Sequence, residues 1–432
     1  MSKPLKLPLL LALTALLCVC LTGCGEKHTF TVYADGDYIS QSVIDAFTEE
    51  TGIKVTYVTG SRTTEAEEET LFEDTSTQSA ESAIQEALSP VSDEERDPYD
   101  DPYSDMTLVE ILQSTRDASI AAAEEKAAKK GDTSLGEIEY EAAVYDVILT
   151  DGATLGELIE NDLLLPLDLT QVTNRKNINE EYTGLDYDPD SRYTVTTMWG
   201  MLGLLWNTQL VTEQLTSWDD LWDETYAGQI IMPDSLRDTL SVALLSLEKY
   251  PNATRESTLN AAFDKLEEQQ TLVAEYSNRD AFILMQNDRA AMYPCFSGDA
   301  LSMMSENANL AFLIPSGGTC RITFGYAVAA DSQYSEEAME FINYMCSATN
   351  LAKNAVYSKY SLTSDVAIEK LDDYWSSNPV AYPDESILEG TQIITTFSAE
   401  NRELVNTRWA QLMDQTADSD EETETEEGDA ST

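Results

Sequence analysis

Apolar and polar residues alternate near the start of the chain in a way that predicts three consecutive elements. The segment HTFTVY (28–33) alternates like a strand, and IKVTYV (53–58) adds β-branched residues to the same alternation. Between them, SQSVIDAFTEETG (40–52) carries an apolar stripe at helical spacing. Ser40 is placed to cap this helix and Gly52 to end it. The pattern therefore predicts a strand–helix–strand opening.

The alternation of strand-like and helix-like segments resumes after residue 143. AVYDVILT (143–150) is a continuous apolar run, typical of a strand buried on both faces in a parallel sheet. TVTTMWGMLGLLWN (194–207) predicts a pair of strands. Helical patterns and short strands then alternate to about residue 412, with Asp234 or Ser235 placed to cap one helix. Such alternation indicates an α/β protein with sheets rich in parallel strands.

An acidic stretch interrupts this pattern. Residues 61–111 contain 16 acidic and 2 basic residues, and the composition up to about residue 102 predicts disorder. Residues 106–130 have helical propensity and end in a basic turn, so the interruption is an acidic and helical insertion over about 61–140. The last 19 residues hold 9 acidic and no basic side chains, which predicts a disordered acidic tail over 413–432.

The charge of the whole chain narrows the choice of partner. Its 25 Lys and Arg face 79 Asp and Glu, which gives a formal net charge of −54. Because like charges repel, this field disfavours nucleic acid and anionic solutes and attracts cations. We therefore expect no nucleic-acid partner.

The N-terminus has the features of a secretory signal. Lys3 and Lys6 precede an apolar run over residues 7–21 that is short for a membrane-spanning helix. The run ends in Leu-Thr-Gly followed by Cys24, which resembles a bacterial lipobox. We predict that residues 1–23 are a signal peptide and that 24–28 form a linker lipidated at Cys24. This predicts an exported protein, lipid-anchored at the extracytoplasmic face of the bacterial cell membrane.

Cysteine and histidine usage limits the chemistry. Removal of the signal peptide leaves Cys24, Cys295, Cys320 and Cys346, which do not make a disulfide framework. The chain has room for one bridge, for which Cys295 and Cys320 are the predicted pair, and the sequence leaves open whether it forms. His28 is the single histidine, so a His-rich zinc site or a Ser-His-Asp triad is excluded. We find no catalytic motif and predict a protein that is not an enzyme, with no cofactor and no metal site.

The turn after the first predicted strand carries candidate binding chemistry. In VYADGDYIS (32–40), Asp35 and Asp37 flank Gly36, and Tyr38 follows. Asp and Gly favour turns, so local structure alone accounts for these residues. Two carboxylates and a phenol between a strand and a helix also suit the wall of a pocket for a cation. The sequence leaves both interpretations open.

Several motifs together resemble one family. FTEETGIKVTYV, YDVILTDG, the run from SWDDLW to YAGQIIMPDSLRD, and FSGDA occur in this order with suitable spacing. They resemble the extracellular solute-binding proteins of ABC transporters, specifically the spermidine/putrescine-binding branch. The similarity covers about 29–60 and 143–412. FTEETGIKV is shared by many binding proteins, whereas the tryptophan-containing run is more specific.

The resemblance implies an α/β, two-lobed fold of the periplasmic-binding-protein type (type II, Venus flytrap). Lobe 1 would comprise 29–195 and 323–367, and lobe 2 would comprise 196–322 and 368–412. A ligand would bind between the lobes, and permease subunits of the transporter would recognise the closed form. A monomer is expected.

The same resemblance implies a set of ligand-binding positions. Tyr38, Asp238 and Tyr360 match residues that contact the ligand, whereas Asp35 and Asp151 stand where a tryptophan and a serine are usual. The family's aromatic and acidic residues near 322–324 have no evident counterpart, and Arg321 lies close by. The complete candidate set is Asp35, Asp37, Tyr38, Asp151, Asp238, Phe296, Asp299 and Tyr360.

Carboxylates and aromatic rings fit a polyamine. Each ammonium group needs an anionic or polar partner when it leaves water, and aromatic faces pack on methylene spacers and attract the cation. The predicted ligand is putrescine, spermidine or a related small organic cation. The main alternative is the same fold with another solute, such as an amino acid derivative or a sugar, where Arg237 and Arg321 would pair with an anion. A surface enzyme using paired carboxylates and an adhesin are further alternatives.

Overall fold

The computed structural model describes residues 30–60, 106–130 and 145–429. The predicted signal peptide, the lipidation site Cys24, His28 and most of the acidic insertion lie outside these ranges. Within them, no helix combines the length and apolar character needed to cross a membrane.

The strands of the described chain are mostly short, and two are long. In chain order they are β1 Phe30–Ala34, β2 Val55–Thr59, β3 Val147–Asp151, β4 Leu164–Leu165, β5 Val195–Asn207, β6 Ile230–Met232, β7 Val273–Tyr276, β8 Met292–Phe296, β9 Leu310–Leu313, β10 Cys320–Ala329, β11 Ser361–Leu362 and β12 Gln392–Ile393.

The α-helices alternate with these strands. They are α1 Gln41–Thr51, α2 Leu108–Lys130, α3 Gly152–Glu160, α4 Leu236–Ser246, α5 Glu256–Gln269, α6 Asn278–Gln286, α7 Ser297–Glu306, α8 Ser335–Met345, α9 Ala348–Ser358, α10 Asp365–Ile368, α11 Asp373–Ser376, α12 Glu385–Leu388 and α13 Ala399–Asp429. Four short 3₁₀ segments occur between β4 and β6. The predicted α/β class is confirmed.

Strand β5 joins two sheets. The strand order is β2-β1-β3-β10-β5-β8-β6-β7. Residues 195–201 of β5 pair with β10, whereas residues 202–207 pair with β8 and β9. We call the part from β2 to β10 the first sheet and the part from β8 to β7 the second sheet. The predicted strand pair at 194–207 is therefore wrong, because the segment continues as a single strand through both sheets.

The strand–helix–strand opening is confirmed. β1 pairs in parallel with β2 and with β3, so β1 is central and buried along its whole length. Gly52 ends α1 in the left-handed conformation, with φ 79°, as predicted. Ser40 precedes α1 but its side chain makes no capping hydrogen bond. Ser235, by contrast, caps α4 by accepting from the backbone of Asp238.

Each sheet is covered by helices on both faces. On the first sheet, alternate residues such as Val32 and Tyr33 enter different apolar clusters, one packed with α1 and the other with α2 and α3. On the second sheet, Leu204 and Leu205 divide in the same way between the α4 and α5 side and the α6 and α7 side. Burial on both faces explains why these strands read as continuous apolar runs.

Two predictions from composition differ from the structure. Cys295, Cys320 and Cys346 are all free and buried, so the expected bridge from Cys295 to Cys320 is wrong. The thiols pack into the apolar core as small hydrophobic side chains.

The helix α13 extends through Asp429, into the segment for which disorder was predicted. Glutamate is a good helix former, so an acidic composition does not by itself exclude a helix. The predicted lobe bounds stay a prediction.

Candidate functional site

The turn that follows β1 lies beside the end of β3. The backbone N–H of Asp35 donates to the carbonyl of Leu149 at 3.2 Å, which continues the parallel pairing by one residue. The carboxylate of Asp35 accepts a hydrogen bond from the hydroxyl of Thr150 at 2.8 Å. The turn therefore lies at the carboxyl edge of the first sheet, where α/β proteins bind ligands.

Asp37 and Tyr38 point in different directions from this turn. Asp37 accepts a hydrogen bond from the hydroxyl of Tyr357 on α9. Tyr38 is only 2% exposed, and its ring packs inward rather than facing solvent. The two residues therefore do not contribute to one surface.

Tyr38, Phe324 and Tyr360 form an aromatic cluster. Their ring centroids are 4.9 Å apart for Tyr38 and Phe324, 5.5 Å for Tyr38 and Tyr360, and 4.9 Å for Phe324 and Tyr360. These separations are in the range of favourable aromatic pairs. A Cβ at Gly298 would lie 2.4 Å from the Tyr360 ring, so this ring approaches the second sheet closely. The cluster thus lies where the two sheets meet.

Asp151 acts as the N-cap of α3. Its carboxylate accepts from the backbone N–H groups of Ala153 and Thr154, at 2.8 and 3.2 Å, and from the Thr154 hydroxyl at 2.7 Å. This is the usual role of an aspartate at a helix start. Asp151 is also opposite Phe324 in the antiparallel ladder with β10. The cap therefore adjoins the aromatic cluster, although its oxygens serve the helix.

Three predicted residues of the second sheet meet at one cavity. Asp238, Phe296 and Asp299 line it together with Leu202, Pro233, Asn278, Phe282, Tyr293, Pro294 and Cys295. Its volume is about 10 Å³, which is room for about one water or one ammonium group. Asp238 and Asp299 lie in the first turns of α4 and α7, where the helix dipole favours negative side chains. The arrangement is suited to a small cation.

The surroundings of this cavity disfavour a further negative charge. Tyr293 donates a hydrogen bond from its hydroxyl to Asn278 at 2.8 Å. Burial, with the nearby carboxylates Asp299 and Asp238, raises the pKa of Tyr293 well above its usual value, so the phenol stays neutral. The cavity therefore presents two carboxylates, a neutral phenol and the Phe296 ring.

The two groups of candidate residues are connected through β5 and α7. The hydroxyl of Ser297 accepts a hydrogen bond from the backbone N–H of Met201 at 3.1 Å. Leu202 pairs with Phe296 in the ladder, and the Tyr360 ring covers Gly298. The aromatic cluster and the Asp238 and Asp299 cavity thus flank the same short segment.

Sequence reasoning missed Phe324. Phe324 is a fully buried ring that contacts both Tyr38 and Tyr360. Alternation along β10 was the available signal, because Ile322 and Phe324 share one face of the strand. No acid accompanies it within 322–324.

The two arginines of the anionic alternative are engaged within the protein. Arg237 donates to the carbonyl of Thr395 at 2.8 Å, to Ser241 at 3.0 Å and to Asn252 at 2.5 Å. Its guanidinium also lies 4.7 Å from the centre of the Phe397 ring, and burial lowers its pKa. Arg321 pairs with Glu181 at 3.8 Å.

Within the described ranges, no group of three or more His, Cys, Asp or Glu side chains is arranged to hold a metal ion.

Comparison with known proteins agrees with the fold and with the motifs. The family of bacterial extracellular solute-binding proteins matches residues 109–381. The spermidine/putrescine-binding periplasmic protein 1 of Haemophilus influenzae is 23% identical over 252 residues, covering 58% of this chain and 70% of that protein.

Solved structures extend the similarity over most of the chain. The spermidine/putrescine ABC transporter substrate-binding protein PotD of Streptococcus pneumoniae has a TM-score of 0.63 at 23% identity, covering 90% of this chain and 100% of that one. The Tp0655 lipoprotein of Treponema pallidum has a TM-score of 0.64 at 16% identity, covering 89% and 99%. The predicted periplasmic-binding-protein-like fold is confirmed, and the chain belongs to the bacterial extracellular solute-binding protein family.

Proposed function

We propose that this protein is a lipid-anchored substrate-binding protein of an ABC importer that takes up a polyamine, putrescine or spermidine, or a related small organic cation. The observation that carries the proposal is the cavity shared by Asp238, Asp299 and Phe296. It combines two carboxylates with an aromatic wall in a space of about one ammonium group.

The chemistry of an amine explains why both carboxylates are needed. An ammonium group that enters a buried cavity loses its hydration, and this costs several kcal/mol unless carboxylates replace the water. The phenyl face of Phe296 adds an attraction of about 0.5–2 kcal/mol for a cation placed over it. One terminal ammonium would occupy this cavity. The methylene chain would extend towards the aromatic cluster of Tyr38, Phe324 and Tyr360.

The relatives support the ligand class. Curated relatives from several bacteria are named spermidine/putrescine-binding or putrescine-binding proteins. At 20–23% identity these names support a cation more strongly than a particular polyamine. The proposed role is binding without turnover, in a monomer, with the permease subunits as partner. The predicted lobes, 29–195 with 323–367 and 196–322 with 368–412, would close on the ligand.

Calorimetry with the mature domain tests the ligand class. Putrescine and spermidine are titrated alongside an anionic solute, glutamate, and a neutral one, glucose. Binding heat with at least one polyamine and none with glutamate or glucose is the expected result. Heat only with glutamate or glucose would replace the cation by another solute in the same fold.

The anchor is tested separately. In an expression host that processes lipoproteins, the full chain should incorporate labelled palmitate and sediment with membranes. The Cys24→Ser variant should do neither, because the thiol that carries the lipid is absent. Membrane association of Cys24→Ser equal to that of the wild type would contradict anchoring through this residue.

A further inference from the structure

Tyr57 on β2 makes an unusual set of contacts with the turn after β1. Its hydroxyl accepts hydrogen bonds from the backbone N–H groups of Tyr38 and Ile39, at 3.1 and 3.2 Å. The same hydroxyl donates to the carbonyl of Gly36 at 3.2 Å. One buried phenol oxygen therefore serves three backbone groups of four consecutive residues.

The position of the Tyr57 hydroxyl is set by strand β2 and by burial of the Tyr57 ring. Tyr57 pairs with Val32 in the parallel ladder of β1 and β2 and is 2% exposed. Burial and the nearby carboxylate of Asp37 raise the pKa of Tyr57 well above its usual value. The hydroxyl therefore keeps its proton at neutral pH, so that it donates and accepts simultaneously.

The conformation that Tyr57 holds is the one that directs Tyr38 into the aromatic cluster. The Tyr38 ring folds back over Gly36, where a Cβ would lie 2.6 Å from a ring carbon. In this position the ring contacts Phe324 and Tyr360, with centroids 4.9 and 5.5 Å away. Rotation of the turn would withdraw the Tyr38 ring from the junction of the two sheets.

We propose that Tyr57 is a positioning residue for ligand binding, whose hydroxyl fixes residues 36–39 so that the Tyr38 ring faces the junction of the two sheets. The inference rests on the proposed function for the part that concerns a ligand. Tyr57 itself touches no ligand. Its contribution is preorganisation, since a turn already in its binding conformation loses less entropy when the ligand binds.

Three other side chains of the described chain contact the turn, and they bind groups other than the backbone of Tyr38. Tyr357 binds the side chain of Asp37, and Asn354 accepts from the backbone N–H of Ser40 at 3.2 Å. Thr150 binds the side chain of Asp35. Among these side chains, Tyr57 is the one bonded to the backbone of Tyr38 itself.

The variant Tyr57→Phe tests the inference, because it keeps the ring and removes only the hydroxyl. Hydrogen exchange of the peptide spanning residues 36–41 is measured first, without ligand. Exchange should be faster in Tyr57→Phe, since the backbone N–H of Ile39 loses this acceptor and that of Tyr38 keeps only the Gly36 carbonyl, at 2.9 Å. Tyr226→Phe is the matched control. It also removes a hydrogen-bonded hydroxyl from a buried tyrosine, since Tyr226 is 6% exposed and its hydroxyl bonds to Glu213 at 2.7 Å. Unchanged exchange in Tyr57→Phe would overturn the proposal, whatever the ligand is.

A double-mutant cycle then separates positioning from general stability. Tyr57→Phe should raise the Kd for the bound solute about tenfold, as expected when buried backbone groups lose a partner. In a Tyr38→Leu background, the same change should leave Kd within about twofold, because the ring that Tyr57 positions is gone. An equal loss in both backgrounds, or no loss in the wild-type background, would contradict the role. If the wild type binds a solute that is not a cation, the cation proposal fails, and the cycle is run with that solute.

Discussion

The candidate carboxylates form two groups that the fold uses differently. Those of the first sheet, Asp35, Asp37 and Asp151, accept hydrogen bonds from a threonine, a tyrosine and the first turn of α3. Those of the second sheet, Asp238 and Asp299, occupy the first turns of two helices and line one cavity with an aromatic wall. In the sequence, all five are acidic residues near a boundary between a predicted strand and a predicted helix.

The difference in position is the basis on which we propose Asp238 and Asp299 as the ligand-binding acids. A carboxylate that caps a helix or secures a turn already has protein donors, and a ligand cation would compete with them. Asp238 and Asp299 differ from the first group in position, because both line one cavity with room for about one ammonium group, where we propose that they form a cation subsite. The first sheet would then contribute aromatic surface through Tyr38 and Phe324, and the second sheet would contribute charge.

Asp238→Asn should have the largest effect on binding. The substitution removes one negative charge from the cavity and keeps the shape, and the capping contact from Ser235 reaches the backbone rather than the side chain. Losing one partner of a buried charge pair costs about 2–5 kcal/mol, so Kd should rise at least about thirtyfold. Calorimetry with the best polyamine measures this.

Asp219→Asn is the control for this prediction. Asp219 lies in the same part of the molecule, pairs with Lys265 at 3.2 Å, and its side chain is 63% exposed. Its substitution should leave Kd unchanged. Equal Kd values for Asp238→Asn and the wild type would remove the cavity from the ligand site.

Asp151→Ala should lower stability more than it lowers affinity. The carboxylate accepts from two backbone N–H groups of α3, and loss of an N-cap typically costs about 1 kcal/mol. Thermal unfolding should show a lower Tm for Asp151→Ala and a smaller decrease for Asp151→Asn, since asparagine also caps helices. If Asp151→Ala kept the wild-type Tm but lost much of its affinity for the ligand, Asp151 would instead be a ligand-binding residue.

Asp35→Asn should have a smaller effect on both measurements. An amide oxygen can still accept from the Thr150 hydroxyl, so the free energy of unfolding should fall by no more than about 1 kcal/mol. Because Asp35 is assigned to the turn, Kd should change by less than about threefold. A loss above tenfold would restore the cation-binding role that the sequence suggests and would merge the two groups.

The smallest effect is expected from a reducing agent. Cys295, at the wall of the cavity, is a free buried thiol, as are Cys320 and Cys346. Burial raises the pKa of Cys320 and of Cys346 to about 12, so both stay protonated and react slowly at pH 8. Dithiothreitol should leave Tm unchanged, and thiol reagents should label these residues only in denaturant. A drop in Tm on reduction would indicate a disulfide, whose loss typically costs about 2–5 kcal/mol.

Local patterns predicted most of the features that depend on neighbouring residues, although the Ser40 side chain does not cap α1. The opening strand–helix–strand unit, the Gly52 terminus and the Ser235 cap depend on contacts within a few residues, and all are seen in the structure. The predicted disulfide was wrong, because a bridge between Cys295 and Cys320 forms only if the folded chain brings the two residues close together. Composition supplies no such distance.

The sequence by itself determined the fold class, because period-2 and period-3.6 patterns follow from backbone geometry that every strand and helix shares. Motif order pointed to the family, and the net charge pointed to a cation. Only the tertiary structure decided which acids share a cavity. Asp238 and Asp299 are 61 residues apart, and their meeting depends on how β6 and β8 pair within the second sheet. The same is true of Tyr57, whose importance comes from a neighbouring strand that places one hydroxyl against three backbone groups.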